Sequence, residues 1–208
     1  MEAQLAELQG LWRPLAALLL ASAVVMGSPG PSTISVTAVG ASFGIRRSLP
    51  YACGLIAGTI AVLLAVAAGV VALVASIPHG ALALGIVSAV YILFLACRIA
   101  TAPPLEGGEG AVPAPSFLGG VLLAVANPKA YVAIAAVFAG TTVARDPGLD
   151  AAVKTVLLGG MVVLIHLAWL LAGVSLSRWL RDPVRARLIN LAMAAALVAI
   201  TASALIGR

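Results

Sequence analysis

The chain has 208 residues, of which 62% are hydrophobic, 9% charged and 5% aromatic, with a mean hydropathy of +1.16. Soluble domains carry about 25% charged residues, so this composition cannot supply a water-facing surface. The formal net charge is +5, yet the basic residues form no stripe with interleaved aromatics, which argues against nucleic acid as a partner.

In chain order, apolar runs fall at residues 14–38, 52–76, 81–101, 116–141, 153–177 and 187–206. A bilayer core takes about 20 apolar residues per helix, and none of the runs shows the alternation and ~10-residue length of barrel strands. They predict an all-α integral membrane fold of six transmembrane helices, forming one membrane domain over residues 1–208. Leu15–Val25 has the apolar character of a signal-peptide core. However, Glu2 and Glu7 precede Arg13, the first cation, and apolar character continues to Val39, so an uncleaved first span is expected.

The breaks between runs differ in kind. Phe43–Pro50 holds Arg46 and Arg47, Ile77–Gly80 reads as a tight turn containing His79, and Arg145–Asp150 carries the turn signal Asp146-Pro147-Gly148. Residues 102–115, rich in Pro, Gly and Glu, separate a first repeat at about 12–101 from a second at about 116–208. With three spans in each half, the halves insert with opposite orientation, as in inverted-repeat transporters.

Two irregularities interrupt otherwise apolar spans: Gly27-Ser28-Pro29-Gly30-Pro31-Ser32 in the first and Asn127-Pro128-Lys129 in the fourth. Proline removes a backbone donor and clashes with the preceding turn, so both helices are expected to be discontinuous. The breaks occupy matching places in the two halves, where inverted-repeat transporters hold substrate near the midplane. Lys129 is the one cation deep in a predicted span, at a cost of about 2.5–3.5 kcal/mol on insertion scales. Its alternatives are functional use, snorkelling, or pairing with freed carbonyls. Half-helix N-termini present N–H groups and positive dipole ends to a carboxylate. The expected substrate site is therefore Pro29, Gly30, Pro31, Ser32, Asn127, Pro128 and Lys129, with Tyr91 offering a hydroxyl.

His166, in the middle of the fifth run, is the candidate for proton coupling, the alternative being a helix-to-helix hydrogen bond. Cys53 and Cys97 read as buried free thiols. Gly54, Gly58, Gly159 and Gly160 read as packing positions, and Trp12, Trp169 and Trp179 as interface anchors or packing. Ser28, Ser32 and His166 are framed by no protease motif, so no enzymatic activity is expected, and neither a cofactor nor a metal site is expected. The rival functions are export of another solute, such as metal cations, and membrane thiol-redox transfer. The first lacks clustered intramembrane ligands, and the cysteines needed for the second lie far in sequence from both Pro breaks.

An ordered set of motifs resembles the LysE/RhtB amino-acid exporters over most of the chain. It comprises Ser28-Pro29-Gly30-Pro31; Gly44-Ile45-Arg46-Arg47-Ser48-Leu49 leading to Gly54 and Gly58; Tyr91-Ile92-Leu93; Phe117-Leu118-Gly119-Gly120; and Asn127-Pro128-Lys129-Ala130. The resemblance implies proton-driven export of amino acids or derivatives from the cytoplasm by a homodimer in the bacterial inner membrane. One departure is Ser32, where family members often carry Asp or Asn. No Asp or Glu falls in any predicted span, which leaves a substrate ammonium without an acidic partner.

Lys and Arg near the span ends set orientation. Seven arginines (46, 47, 98, 178, 181, 185 and 187) fall on one side, and four basic residues (13, 145, 154 and 208) on the other. This places Phe43–Leu49 and Arg178–Arg187 in the cytoplasm and both termini outside. Single cysteines introduced into these two segments of a cysteine-free variant should resist a membrane-impermeant maleimide in intact cells and react after permeabilisation. Labelling from outside in intact cells would invert the topology.

Overall fold

The computed structural model describes residues 2–69, 113–176 and 182–206, together with Ile86 and residues 89–90, 92–94, 96–97 and 99–101. The expected site residue Tyr91, and also His79, Arg98, Arg178, Trp179, Arg181 and Arg208, lie outside the described residues. The described secondary structure is helical throughout: α1 (Glu2–Val25), α2 (Pro31–Ala67), α3 (Phe117–Ala126), α4 (Pro128–Ala139), α5 (Pro147–Leu176) and α6 (Pro183–Ile206). By length and composition α2 and α5 can each cross a membrane, and α3 with α4 adds a third candidate span, bent by 62° at its break.

Several boundaries differ from the apolar runs, each for a local reason. The Asp146-Pro147 step expected as a turn is a helix start. Asp146 Oδ1 accepts the Leu149 N–H at 2.8 Å, and proline suits the first helical position because its missing N–H would be unpaired there anyway. Asp182-Pro183 repeats the device, with Asp182 Oδ1 accepting the N–H groups of Val184 and Arg185 at 3.0 and 2.9 Å. At the other end of α2, the run expected to reach residue 76 stops at Ala67. Gly69 follows with φ 77°, the left-handed conformation that ends helices.

Within α2 the chain reverses at Gly44, whose φ of 70° and ψ of 174° leave helical space and favour a residue without a Cβ. Ser48 Oγ donates to Val39 O at 3.0 Å, and Tyr51 Oη donates to Ser35 Oγ at 3.1 Å. Sixteen residues of straight helix would separate that second pair by about 24 Å. Residues 31–43 and 45–67 therefore lie against each other as two antiparallel arms, and the exposed Arg46 and Arg47 sit at the bend.

Close backbone contact sets the rest of the packing. A Cβ on Gly54 would collide with the backbone carbonyl of Phe117, one on Gly58 would lie 2.7 Å from Ala124 Cβ, and one on Gly120 would strike the Tyr51 carbonyl. The second arm of α2 thus rests directly on α3, as small residues permit in membrane bundles. Gly40 and Gly173 bring the first arm equally close to α5. Around these contacts Val36, Val39, Tyr51, Leu55, Leu123 and Leu170 form one core cluster, and Leu18, Val62, Leu63, Ile134 and Leu158 form another. Leu20, Val132, Val156 and Leu164 face outward.

Two expectations are corrected. Cys53 and Cys97 are free but exposed rather than buried; they sit on outward helix faces, where lipid tolerates an apolar thiol. Gly159 and Gly160 are not close-packing positions, because an added Cβ meets only Leu63 Cδ2 at 4.0 Å at the first and nothing at the second.

Gly54→Ala should therefore destabilise the folded protein by about 1–3 kcal/mol, the usual cost of overpacking. Gly160→Ala should leave stability unchanged or raise it slightly, since alanine favours helix over glycine. Thermal unfolding of both variants in detergent measures the contrast, and equal shifts would contradict the contact between the second arm of α2 and α3.

Candidate functional site

The first break, residues 26–30, leaves a run of backbone carbonyls outside any helix. In a bilayer no water is available to satisfy them, and the fold supplies donors to those of Gly27, Ser28, Pro29 and Gly30. Trp169 Nε1 on α5 donates to Gly27 O at 3.1 Å. Lys129 Nζ on α4 donates to Ser28 O and Pro29 O, each at 2.7 Å. Gly30 O accepts the Ile34 N–H at 2.9 Å and the Thr33 hydroxyl at 3.1 Å.

The second break is narrower. Asn127 leaves helical space at ψ 104° and caps α4 by accepting the Lys129 N–H at Oδ1, 3.1 Å away. Its Nδ2 donates across to Ser32 Oγ at 2.9 Å. Asn127 thus joins the first turn of α4 to the first turn of α2.

Lys129 completes the junction. Besides the two carbonyls, its Nζ reaches Ser28 Oγ at 2.8 Å, so an ammonium with three donors meets three acceptors. The charge rests beyond the C-terminal end of α1, where the helix dipole favours a cation. Of the alternatives open from sequence, pairing with freed carbonyls is the arrangement in this conformation. A Cβ on Gly30 would lie 2.7 Å from Lys129 Cδ, so glycine there leaves the path of the lysine side chain open.

Between the breaks lies a cavity with about 440 Å³ of empty space, part of it open to the outside. Of the expected site residues, Gly30, Ser32, Asn127, Lys129 and His166 line it, together with Ser28. Pro29, Pro31 and Pro128 shape the breaks without lining it. Met26, Ala130, Ala133, Ile134, Val162 and Ile165 supply apolar walls. Gly30 offers no capping side chain to α2, so the dipole-positive first turn at Ser32 and Thr33 adjoins the cavity.

His166 is 4% exposed, and its Nδ1 lies 2.8 Å from Val162 O. A carbonyl only accepts, so Nδ1 carries a proton, and in the neutral ring Nε2 is a bare acceptor. Among the described residues, two buried side-chain polar atoms lack a partner, His166 Nε2 and Thr59 Oγ1, and both residues line this cavity. A buried unsatisfied polar atom costs about 1–3 kcal/mol. Sequence reasoning missed Thr59, although a lone hydroxyl in an apolar stretch was a usable signal, and it read Trp169 as an anchor or packing residue. It also placed Lys154 simply at a span end. Lys154 is buried, paired with Asp150 Oδ2 at 2.6 Å, and donates to Phe138 O and Thr141 O at 2.7 and 3.0 Å, closing the C-terminal end of α4.

A largely apolar cavity with a few convergent polar groups, set at paired helix breaks and enclosed by apolar helices with outward-facing leucines and valines, has the build of a membrane solute translocator. The chain belongs to the LysE type translocator family, which it matches over residues 23–208. It is similar to a cysteine/O-acetylserine efflux protein of Klebsiella pneumoniae subsp. pneumoniae, with 32% identity over 163 residues, covering 76% of this chain and 81% of that protein. No solved structure matches the chain. It is an integral membrane transporter and not an enzyme.

Trp169→Phe keeps the ring but removes the donor to Gly27 O. The loss should destabilise the protein by about 1–3 kcal/mol, measured as a lower unfolding temperature in detergent. An unchanged temperature would remove Trp169 from the support of the break.

Proposed function

We propose that this protein is a secondary transporter exporting small amino acids or related metabolites from the cytoplasm across the bacterial inner membrane. Export is coupled to proton entry and passes through the cavity between the two breaks. The observation that carries the proposal is the junction itself: Lys129 and Asn127 from the second half bond to Ser28, Pro29 and Ser32 of the first. Two breaks about a hundred residues apart in sequence thus share one cavity. The reversal of α2 at Gly44 supports a count of six spans in two inverted three-helix repeats, each opening with a broken helix. The homodimer implied by the family resemblance belongs to the same proposal.

Substrate enters as a zwitterion. Its carboxylate is received by Lys129 and the first turn of α2 at Ser32 and Thr33. A carboxylate is a stronger partner for an ammonium than neutral carbonyls are, so binding draws Lys129 away from Ser28 and Pro29. The unwound segment is then released when the site is filled, which links occupancy to movement of one half against the other. The apolar walls suit a short, uncharged side chain, as in the two compounds named for the relative from Klebsiella. His166 is the proton-coupling group.

Overproduction should lower intracellular and raise extracellular levels of cysteine and O-acetylserine, and deletion should do the opposite. Lys129→Ala should abolish this export while the protein still reaches the membrane, because removing a buried charge eases insertion. Lys129→Arg keeps the charge with a different donor geometry and should rescue export only in part. Replacing Pro29 and Pro31 with alanine should rewind the break and also impair export. Wild-type export rate and affinity in Lys129→Ala would show that the site is elsewhere.

A further inference from the structure

The expected acidic partner for a substrate ammonium is missing from this cavity. Among the described residues its lining holds no Asp or Glu, and besides His166 the one ionisable side chain there is Lys129, whose ammonium repels another. The α1 end and break contribute Met26, Ser28 and Gly30, and Ser28 already bonds Lys129 and donates to Val25 O at 2.8 Å. On the first arm of α2, Ser32 accepts from Asn127 and Thr33 is paired with Gly30. On α4, Asn127 Oδ1 accepts the Lys129 N–H. Among the described residues, the buried side-chain acceptors left without a partner are His166 Nε2 on α5 and Thr59 Oγ1 on the second arm of α2.

These two atoms are buried, do not bond each other, and belong to residues lining the same cavity. The Val162 carbonyl holds the imidazole with its proton on Nδ1, leaving the Nε2 lone pair for the cavity. We infer that Thr59 and His166 receive the substrate's α-ammonium, and that the imidazole lone pair holds either that ammonium or a proton, never both. This assignment rests on the cavity being the exporter's substrate site.

Exclusion couples the two fluxes when the empty, unprotonated site does not cross the membrane. An ammonium N–H donated to Nε2 occupies its single lone pair, and a proton bound there makes Nε2 a donor that repels the ammonium. The site therefore returns across the membrane carrying a proton where it left carrying an amino acid. One zwitterion of zero net charge moves outward for each proton moving inward. Every cycle carries one positive charge into the cell, so an inside-negative potential accelerates export even without a pH difference. No carboxylate relay is needed.

Equilibrium binding of radiolabelled O-acetyl-L-serine to the purified protein in detergent, from pH 8 to pH 5.5, tests the assignment. The deaminated analogue, 3-acetoxypropanoate, serves as the second probe. Wild type should lose affinity for the amino acid by about tenfold per pH unit once the imidazole protonates. The analogue, having no ammonium, should bind more weakly and show no such loss. His166→Gln retains an acceptor that does not titrate, so binding should persist within tenfold and become independent of pH. In proteoliposomes the same variant should keep substrate exchange and lose accumulation driven by a proton gradient or potential. Thr59→Val should weaken amino-acid binding several-fold with its pH dependence intact, which separates contact from titration. The same pH dependence in His166→Gln as in wild type overturns the shared lone pair while leaving the exporter function standing. Failure of wild type to bind any amino acid in a panel of small neutral ones overturns both.

Discussion

A peptide carbonyl in lipid has no water to turn to, and the unwound segment at residues 27–30 places several such carbonyls side by side. The structure depends on how they are satisfied. Trp169 and Lys129, which bond Gly27, Ser28 and Pro29, both come from the second half of the chain. The first half therefore cannot hold its break open in a bilayer by itself, because the unwound segment is supported only once α4 and α5 have docked. The same bonds let a half-buried ammonium persist without an acidic partner, since carbonyl dipoles at the end of α1 take the place of a counter-ion.

The cavity is held open by contacts elsewhere. Backbone-to-backbone contact at Gly54, Gly58 and Gly120 anchors the second arm of α2 on α3, and Gly40 with Gly173 anchors the first arm on α5. These close approaches leave larger side chains to enclose the cavity. Ala130, Ala133 and Ile134 line it from α4, and Val162, Ile165 and His166 from α5. Both sets follow the i, i+3, i+4 spacing of a single helix face. The histidine thus enters an otherwise apolar face as part of a regular stripe, positioned by its bond to Val162 one turn earlier.

Ser32 gives the site its chemical character. Where other members of the family often carry Asp or Asn, this chain uses a hydroxyl that accepts from Asn127, so a neutral pair joins the two helix starts. With a hydroxyl there, the described acceptors around Lys129 Nζ are all neutral.

Much of this was legible in the residues themselves. Low charge and long apolar runs dictate helices in a membrane, because no other composition-compatible structure satisfies its backbone in lipid. Prolines at 29, 31 and 128 dictate breaks, because proline cannot continue the helical ladder. A lysine beside one of them calls for a partner, because a cation within the bilayer is costly. Partners were not legible, because they depend on which helix faces meet across about a hundred residues. Thus the sequence left Lys129 open between functional use, snorkelling and carbonyl pairing, and tertiary structure placed it on Ser28 and Pro29. The boundaries at Ala67, Pro147 and Pro183 followed capping and left-handed glycine geometry rather than hydropathy. Trp169 acquired its role only in three dimensions, since an indole in an apolar helix reads equally as anchor, packing or donor until its neighbours are known.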